Sequence, residues 1–180
     1  ASTVKRWADD GTLPHVRTAG GHRRFLARDV DDFANPTNVE VNQWIELLTT
    51  GTGTYGIRSV LLQERDKVGS YARVMPTLGV VLSAIGELWT QGQLTIHEEH
   101  FASARLSRAL AQLSDSYVSV IGGASCLLTV PEMEEHTLGL SMLELCLREL
   151  GWEVSWLGQN TPKDTIIKAI LSGNHKAVAL

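Results

Sequence analysis

From residue 39 to residue 115 the apolar positions recur at helical spacing. Val41, Trp44, Ile45, Leu47 and Leu48 form one segment, and Ile57, Val60, Leu61 and Leu62 a second. Val74, Leu78, Val81, Leu82, Ile85 and Trp89 form a third, and Phe101, Leu106, Leu110 and Leu113 a fourth. Four amphipathic stretches with short connections predict a four-helix bundle over 39–115. Pro76 is expected in the first turn of the third helix, or at a kink in it. Beyond residue 115 the pattern changes. Ala124–Val130 is a continuous apolar run that reads as a strand, and Leu138, Met142, Cys146 and Leu150 mark a helical stripe ended by Gly151. Trp152–Leu157 reads as a second strand, Thr161-Pro162-Lys163-Asp164 as the cap of a second helix with proline at its first position, and Ala177–Leu180 as a third strand. Strand–helix–strand–helix–strand is the opening of a doubly wound α/β domain, here over 116–180, where ligands sit beyond the carboxyl ends of the strands. The fold class is therefore multidomain, α and α/β.

Before the bundle, the pattern is that of a small separate head over 1–34, joined by a linker at 35–38. Ser2–Asp10 reads as a short helix with Val4, Trp7 and Ala8 on one face, stopped by Gly11. Two arms around Gly20-Gly21 signal a hairpin, and Ala27–Phe33 reads as a further short helix.

Charge sharpens this division. The chain of 180 residues carries −4 overall, but residues 1–28 hold six Lys/Arg against two Asp, leaving the remainder at −8. Lys5 and Arg6 on a helix beside a ribbon bearing Arg17, His22, Arg23 and Arg24 have the chemistry to hold phosphates and reach base edges. The other expectation for such a cluster is a solvated basic patch. Cys126 and Cys146 lie in apolar segments and read as buried, reduced thiols rather than a disulfide framework. No apolar run approaches a membrane span and no secretory signal opens the chain, so the expected location is cytoplasmic. The chain starts without Met inside a helical pattern and stops on a strand-like run, as expected of a piece cut at both ends.

Two stretches carry chemistry that this organisation does not absorb. Thr95-Ile96-His97-Glu98 is a capping box, which accounts for Glu98. Glu99 and His100 leave the first turn of the fourth bundle helix while Trp89 leaves the last turn of the third. The three meet at one corner of the bundle, as pocket walls or as core plus wet surface. Glu134-Glu135-His136-Thr137-Leu138-Gly139 lies in the loop after the first α/β strand, where His136 is either dressing for a helix start or a metal ligand. Gly122-Gly123 lacks the spacing of a phosphate loop.

Residues 3–25, TVKRWADDGTLPHVRTAGGHRRF, resemble the winged helix-turn-helix of the MerR family without its first helix. That resemblance implies DNA contacts from Thr3, Lys5, Arg6, Arg17, His22, Arg23 and Arg24. The Glu134–His136–Gly139 spacing resembles the cobalamin-binding module of methionine synthase, with Glu for the more usual Asp. It implies His136 as lower axial ligand of cobalt in a partial Rossmann-like domain that lacks its C-terminal part. Trp89, Glu99 and His100 reproduce the Trp-x9-Glu-His pattern of CarH-type and LitR-type photoreceptor regulators, which implies that they cover the upper cobalt face. Taken together the chain is similar to a light-responsive transcriptional repressor that is not an enzyme. It would hold adenosylcobalamin, occupy double-stranded operator DNA as a dark homo-tetramer, and release it in light. Thr90 stands where some members carry a histidine that takes the vacated cobalt face. The other classes to weigh are a corrinoid methyl carrier serving a methyltransferase and a MerR-type regulator that works without cobalamin.

Overall fold

The structure is a computed structural model that describes residues 3–9, 13–18, 20–27, 30, 36–51, 53–118 and 122–180. It divides into two compact units, 1–44 and 45–180.

In the first unit, helix α1 spans Thr3–Asp9 and the two-residue strands β1 (Val16–Arg17) and β2 (Arg23–Arg24) pair antiparallel, Val16 opposite Arg24. The hairpin closes where the Thr18 N–H donates to the His22 carbonyl (2.9 Å) and the Gly21 N–H to the Thr18 carbonyl (2.8 Å). Gly21 has a φ of 76°, a left-handed turn position that glycine adopts at low cost. Ala8 and Leu13 are buried and serve as the small core. The expected helix at 27–33 falls largely outside the described residues.

Helix α2 runs Pro36–Thr50, so positions 36–38 of the expected linker are helical. Proline suits that start, because the first N–H of a helix has no partner to lose. Helices α3 (Thr54–Val68), α4 (Tyr71–Thr90) and α5 (Ile96–Ser114) follow and pack on one another. Tyr71, Val74, Leu78, Val81 and Ile85 make the buried seam of α4 at spacings of three and four, against Ile57 and Leu61 of α3 and Ala102, Leu106, Ala109, Leu110 and Leu113 of α5. Two sequence expectations shift. Phe101 is 54% exposed, lying under the Arg105 guanidinium (5.5 Å), and Ala102 takes its core position. Pro76 is the sixth residue of α4, inside the helix rather than in its first turn. The capping box forms as expected, with the Thr95 N–H donating to Glu98 (2.8 Å).

The last part is a three-stranded parallel sheet in the order β4–β3–β5, from β3 (Ser125–Pro131), β4 (Glu153–Thr161) and β5 (Ala177–Ala179). Helices α6 (Leu138–Glu149) and α7 (Lys163–Ser172) make the crossovers. Cys126, Leu128 and Val130 of the central strand pack with Leu140 and Val154 as the sheet core. Helix α6 is covered on two sides, by the sheet and by α4 and α5. That explains why its buried residues are Leu140, Glu144 and Leu145, while the predicted stripe of Leu138, Met142 and Cys146 is only half-buried and Leu150 is exposed. The buried Glu144 is satisfied: Arg148 Nε (2.8 Å) and Trp156 Nε1 (2.7 Å) donate to its two oxygens. Thr161 is not a helix cap. Pro162 holds that position, and the buried Thr161 hydroxyl bonds Thr129 across the sheet (3.0 Å). Both cysteines are free thiols; Cys126 is buried and Cys146 half-buried. Among the described residues no helix is long and apolar enough to cross a membrane.

Candidate functional site

The central strand β3 delivers the loop 132–137 at its carboxyl end, which is where an open parallel sheet offers a ligand crevice. The loop is pinned at Met133, whose φ of 67° is left-handed and whose N–H donates to Asn160 Oδ1 (3.3 Å) near the carboxyl end of β4. Three N–H groups then converge on Glu134 Oε1: the backbone of Glu135 (2.9 Å), the backbone of His136 (2.8 Å) and His136 Nδ1 (2.5 Å). His136 and Glu135 hydrogen-bond that carboxylate and hold Glu134 below its ordinary range. A carboxylate can only accept, so Nδ1 carries the proton and the Nε2 lone pair of His136 is left free. The His136 side chain is 95% exposed.

Helices α4 and α5 supply the opposing wall. Leu82, Ile85, Gly86 and Trp89 follow each other at helical spacing on α4, as do Ile96, Glu99, His100 and Ser103 on α5. These eight residues and His136 line one cavity of about 450 Å³. A second hollow of about 390 Å³ shares Leu82, Glu99, Ser103 and His136 and continues past Glu135, Thr137, Leu138 and Gly139. Glu99 is tightly held. Ser103 Oγ donates to Oε1 (2.7 Å) and His100 Nδ1 to Oε2 (2.6 Å). Partial burial of Glu99 pushes its carboxyl up, but the hydrogen bonds from Ser103 and His100 and the nearby His100 and His136 imidazoles outweigh it, so the net shift is down. The structure thus brings Trp89, Glu99, His100 and His136 around one space, with Glu134 behind His136. Sequence reasoning missed Ser103, Leu82, Ile85, Gly86 and Ile96. Their signal was present: Ser103 lies four residues after Glu99, and Leu82, Ile85 and Gly86 share a helix face with Trp89.

A cobalt corrinoid fits these residues on two observations. One is the free Nε2 of His136, a nitrogen donor of the kind that suits cobalt, backed by a carboxylate. The other is Gly139. It sits in the first turn of α6 with no left-handed φ, and a Cβ there would meet no protein atom within 4 Å. Neither backbone conformation nor packing asks for glycine, so the space it keeps open faces outward, along the hollow that leads from His136.

In the head, Arg24, Lys5, Arg17 and His22 are exposed. Arg23 is not a simple outward cation: it pairs with Asp9 of α1, and Arg17 lies 3.7 Å from the same carboxylate. Asp9 therefore ties the hairpin to the helix. The side chains of Thr3, Arg6 and Trp7 lie outside the described residues.

Residues 1–36 match the helix-turn-helix domain family and residues 56–114 the B12 binding domain family. The chain thus joins a segment similar to helix-turn-helix domains to one similar to B12 binding domains. In that order of parts it resembles CarH-type regulators. It is 35% identical, over 94% of its length, to the HTH-type transcriptional repressor CarH of Myxococcus xanthus, of which it spans 58%. Over 57% of its length it is 31% identical to the repressor CarA of the same organism, covering 35% of that protein. A cobalamin-binding protein from Desulfitobacterium hafniense DCB-2 is also similar, at 19% identity over 77% of this chain and 66% of that one, with a TM-score of 0.36. The α and α/β assignment itself rests on the elements described above.

Proposed function

We propose that this chain is the DNA-binding and cofactor-binding part of a light-responsive transcriptional repressor that uses adenosylcobalamin as its chromophore. The observation that carries the reading is the convergence of His136, with its Nδ1 fixed by Glu134, and the Trp89–Glu99–His100 wall on one cavity. The B12 binding domain match and the similarity to two repressors support it. When bound, adenosylcobalamin supplies a cobalt–carbon bond that light can break.

The residues divide that work. His136 would hold the cobalt of the corrinoid through Nε2, and Glu134 fixes its tautomer and raises its basicity as a donor. Trp89 closes the upper face with an aromatic wall, and Glu99, held by Ser103 and His100, presents a fixed acceptor to a polar upper group. Because the lower ligand comes from the α/β part and the upper wall from α4 and α5, a ligand between them favours one packing of the two over another. In the dark that packing holds a homo-tetramer on double-stranded operator DNA through Lys5, Arg6, Arg17, His22, Arg23, Arg24 and Thr3. Light removes the bias, the tetramer separates, and the avidity of several heads for one operator is lost. No reaction is catalysed. A methyl carrier must open its upper face to a partner enzyme, and the aromatic wall and the basic head both speak for the repressor instead.

The test is direct. The full chain is incubated with adenosylcobalamin in the dark, desalted, and its absorption spectrum and particle size are recorded before and after illumination. Retained colour with a light-driven fall in size is the expected result. Retained colour with no change in size removes the light switch, and loss of all colour on desalting removes the cofactor.

A further inference from the structure

We propose that Asp9 sets how well the head tells operator from random DNA, because its carboxylate stands between Arg17 and Arg23 where a DNA phosphate would otherwise be drawn. The inference rests on the DNA-binding reading above and owes nothing to the cobalamin site. Arg17 and Arg23 are register partners on the two strands of the hairpin, so their side chains leave the same face of it side by side. Like charges placed directly opposite repel. Asp9, the last residue of α1, answers both through one oxygen: Arg23 Nη2 donates to Oδ1, and Arg17 Nη2 lies 3.7 Å from it. The Arg23 side chain is drawn in to 21% exposure, against 60% for Arg17. Arg24, one residue on, leaves the opposite face with Val16 as its register partner, and it is exposed.

The helix itself has no use for an acid at that position, since the carbonyls at its end already carry partial negative charge. Among the described residues of the head, 3–30, Asp9 is the one carboxylate, and it is set among cations. Its contacts are the two arginines.

That placement acts twice. Random DNA is held through phosphates alone, and each net protein charge brought to the backbone releases about 0.9 of a counterion. Arg17, Arg23 and Asp9 together present one net positive charge instead of two, so non-specific binding is weakened. The same contact fixes the hairpin against α1. An operator demands the helix in the major groove and the hairpin on the backbone in one register, and random DNA makes no such demand. On the operator the group still has a charge to give, with Arg17, the looser and more exposed partner, able to turn to a phosphate. Removing the carboxylate therefore raises the non-specific affinity and loosens the specific complex, and both changes lower the ratio between them.

The test compares full-length variants in the dark with adenosylcobalamin added. The probes are a random-sequence duplex of about 30 base pairs and a duplex that the wild type enriches from a random pool, followed by fluorescence anisotropy between about 50 and about 200 mM salt. Asp9→Asn is expected to bind the random duplex about five- to tenfold more tightly at about 0.1 M salt, with the slope of log affinity against log salt steeper by about one. It is expected to bind the enriched duplex no more tightly than the wild type does. Asp9→Glu keeps the charge and is expected to stay within about twofold of wild type on the random duplex. Asp9→Asn combined with Arg17→Gln should return the slope to its wild-type value, since the released charge is gone again. Wild-type affinity and slope of Asp9→Asn on the random duplex overturn the inference and leave the DNA reading standing. So does an equal change on both duplexes, which is what a head that had merely come loose would give. A wild type that holds the random duplex but enriches no sequence also overturns it, because Asp9 then has nothing to discriminate. A wild type that binds no duplex at the lowest salt overturns the DNA reading, and the inference falls with it.

Discussion

Replacing Glu149 with Ala should loosen the joint between the bundle and the α/β part without touching the cofactor cavity. Glu149 ends α6, its side chain is only 9% exposed, and it reaches both connecting helices. One oxygen accepts from Arg65 Nε at the end of α3 (2.8 Å), and the other from the backbone N–H of Tyr71 at the start of α4 (2.7 Å). The ion pair pushes the Arg65 guanidinium further up, chiefly through that hydrogen bond, but Arg65 is solvated and no stability is assigned to this arm. The other arm matters more. Tyr71 is fully buried, and its N–H belongs to the first turn of a helix, where no carbonyl of the same helix can take it. A hydrogen bond to a charged acceptor is worth about 1.5–3 kcal/mol, and losing it leaves a buried donor unmatched. A cost of about 2–3 kcal/mol, at about 2–4 °C per kcal/mol for a chain of this size, lowers the Tm by about 4–12 °C. Thermal unfolding of the cofactor-free chain followed by far-ultraviolet circular dichroism measures it, with Glu153→Ala, an exposed residue, as control. Glu149→Gln, which keeps an oxygen for the Tyr71 N–H, should fall between the two. A Glu149→Ala variant that melts within about 1 °C of the control refutes the reasoning, since a buried, doubly bonded carboxylate cannot be that cheap to remove.

Gly139→Ala should raise the Tm of the cofactor-free chain, because it places alanine in a helical turn with open space around it, worth about 0.5–1 kcal/mol, yet weaken cobalamin retention on desalting. His136→Ala should lower cobalamin retention and remove protein nitrogen ligation from the spectrum of any cofactor that stays bound; an unchanged spectrum would show that His136 is not the lower ligand. Glu98→Gln should start α5 less well at neutral pH. The Thr95 hydroxyl and backbone hold the Glu98 carboxyl below its ordinary 4.5, so this contribution is present above that value and lost as pH falls through the depressed one. The Tm gap between Glu98→Gln and wild type should therefore close in acid, and a gap independent of pH counts against the capping box. Arg24→Ala should weaken operator binding and reduce its salt dependence by about one counterion while leaving the cofactor spectrum alone. Arg23→Ala should additionally destabilise the head, because Arg23 ties the hairpin to α1 through Asp9.

The elements that local pattern could specify were legible. Helical spacing marked out α2 to α5, the apolar run Ala124–Val130 marked β3, Trp152–Leu157 marked most of β4, and the capping box at Thr95–Glu98 formed as read. What was not legible depends on neighbours far away in the chain. Phe101 fits an apolar stripe, and only the packing of α5 against α3 and α4 decides that Ala102 points inward instead. The stripe on α6 was misplaced because the helix is covered from two sides, and a single-face pattern cannot describe it. Thr161 followed by Pro162 is a fair cap signal, overridden by a strand that runs four residues beyond Leu157 and uses the hydroxyl for Thr129. At the site, Glu134, His136, Trp89, Glu99 and His100 could be singled out by residue type and spacing. The meeting of Trp89, Glu99 and His100 at one corner was read from the helix ends; that His136 lines the same cavity came only through the resemblance, since it depends on how α6 lies against α5. Ser103 escaped because a serine on a helix has many bland explanations; only its bond to Glu99 gives it a role.

The two ends of α4 have opposite attachments, and that sets which of them can yield. At its start, Tyr71 is buried and tied through Glu149 to α6, with its ring edge-on to Tyr117 at 6.4 Å. At its end, Trp89 is half-exposed and lines the cavity with Leu82, Ile85 and Gly86 of the same helix. From Tyr71 to Trp89 the helix rises 18 residue steps, about 27 Å at 1.5 Å per residue. A displacement of α4 relative to the α/β part therefore breaks the least when it pivots near Tyr71 and moves Trp89. The same rod that is anchored by a charged, buried hydrogen bond at one end is held at the other by whatever fills the cavity. A ligand in this cavity would act at the end of α4 farthest from the Glu149 joint, where it has the longest lever on the packing.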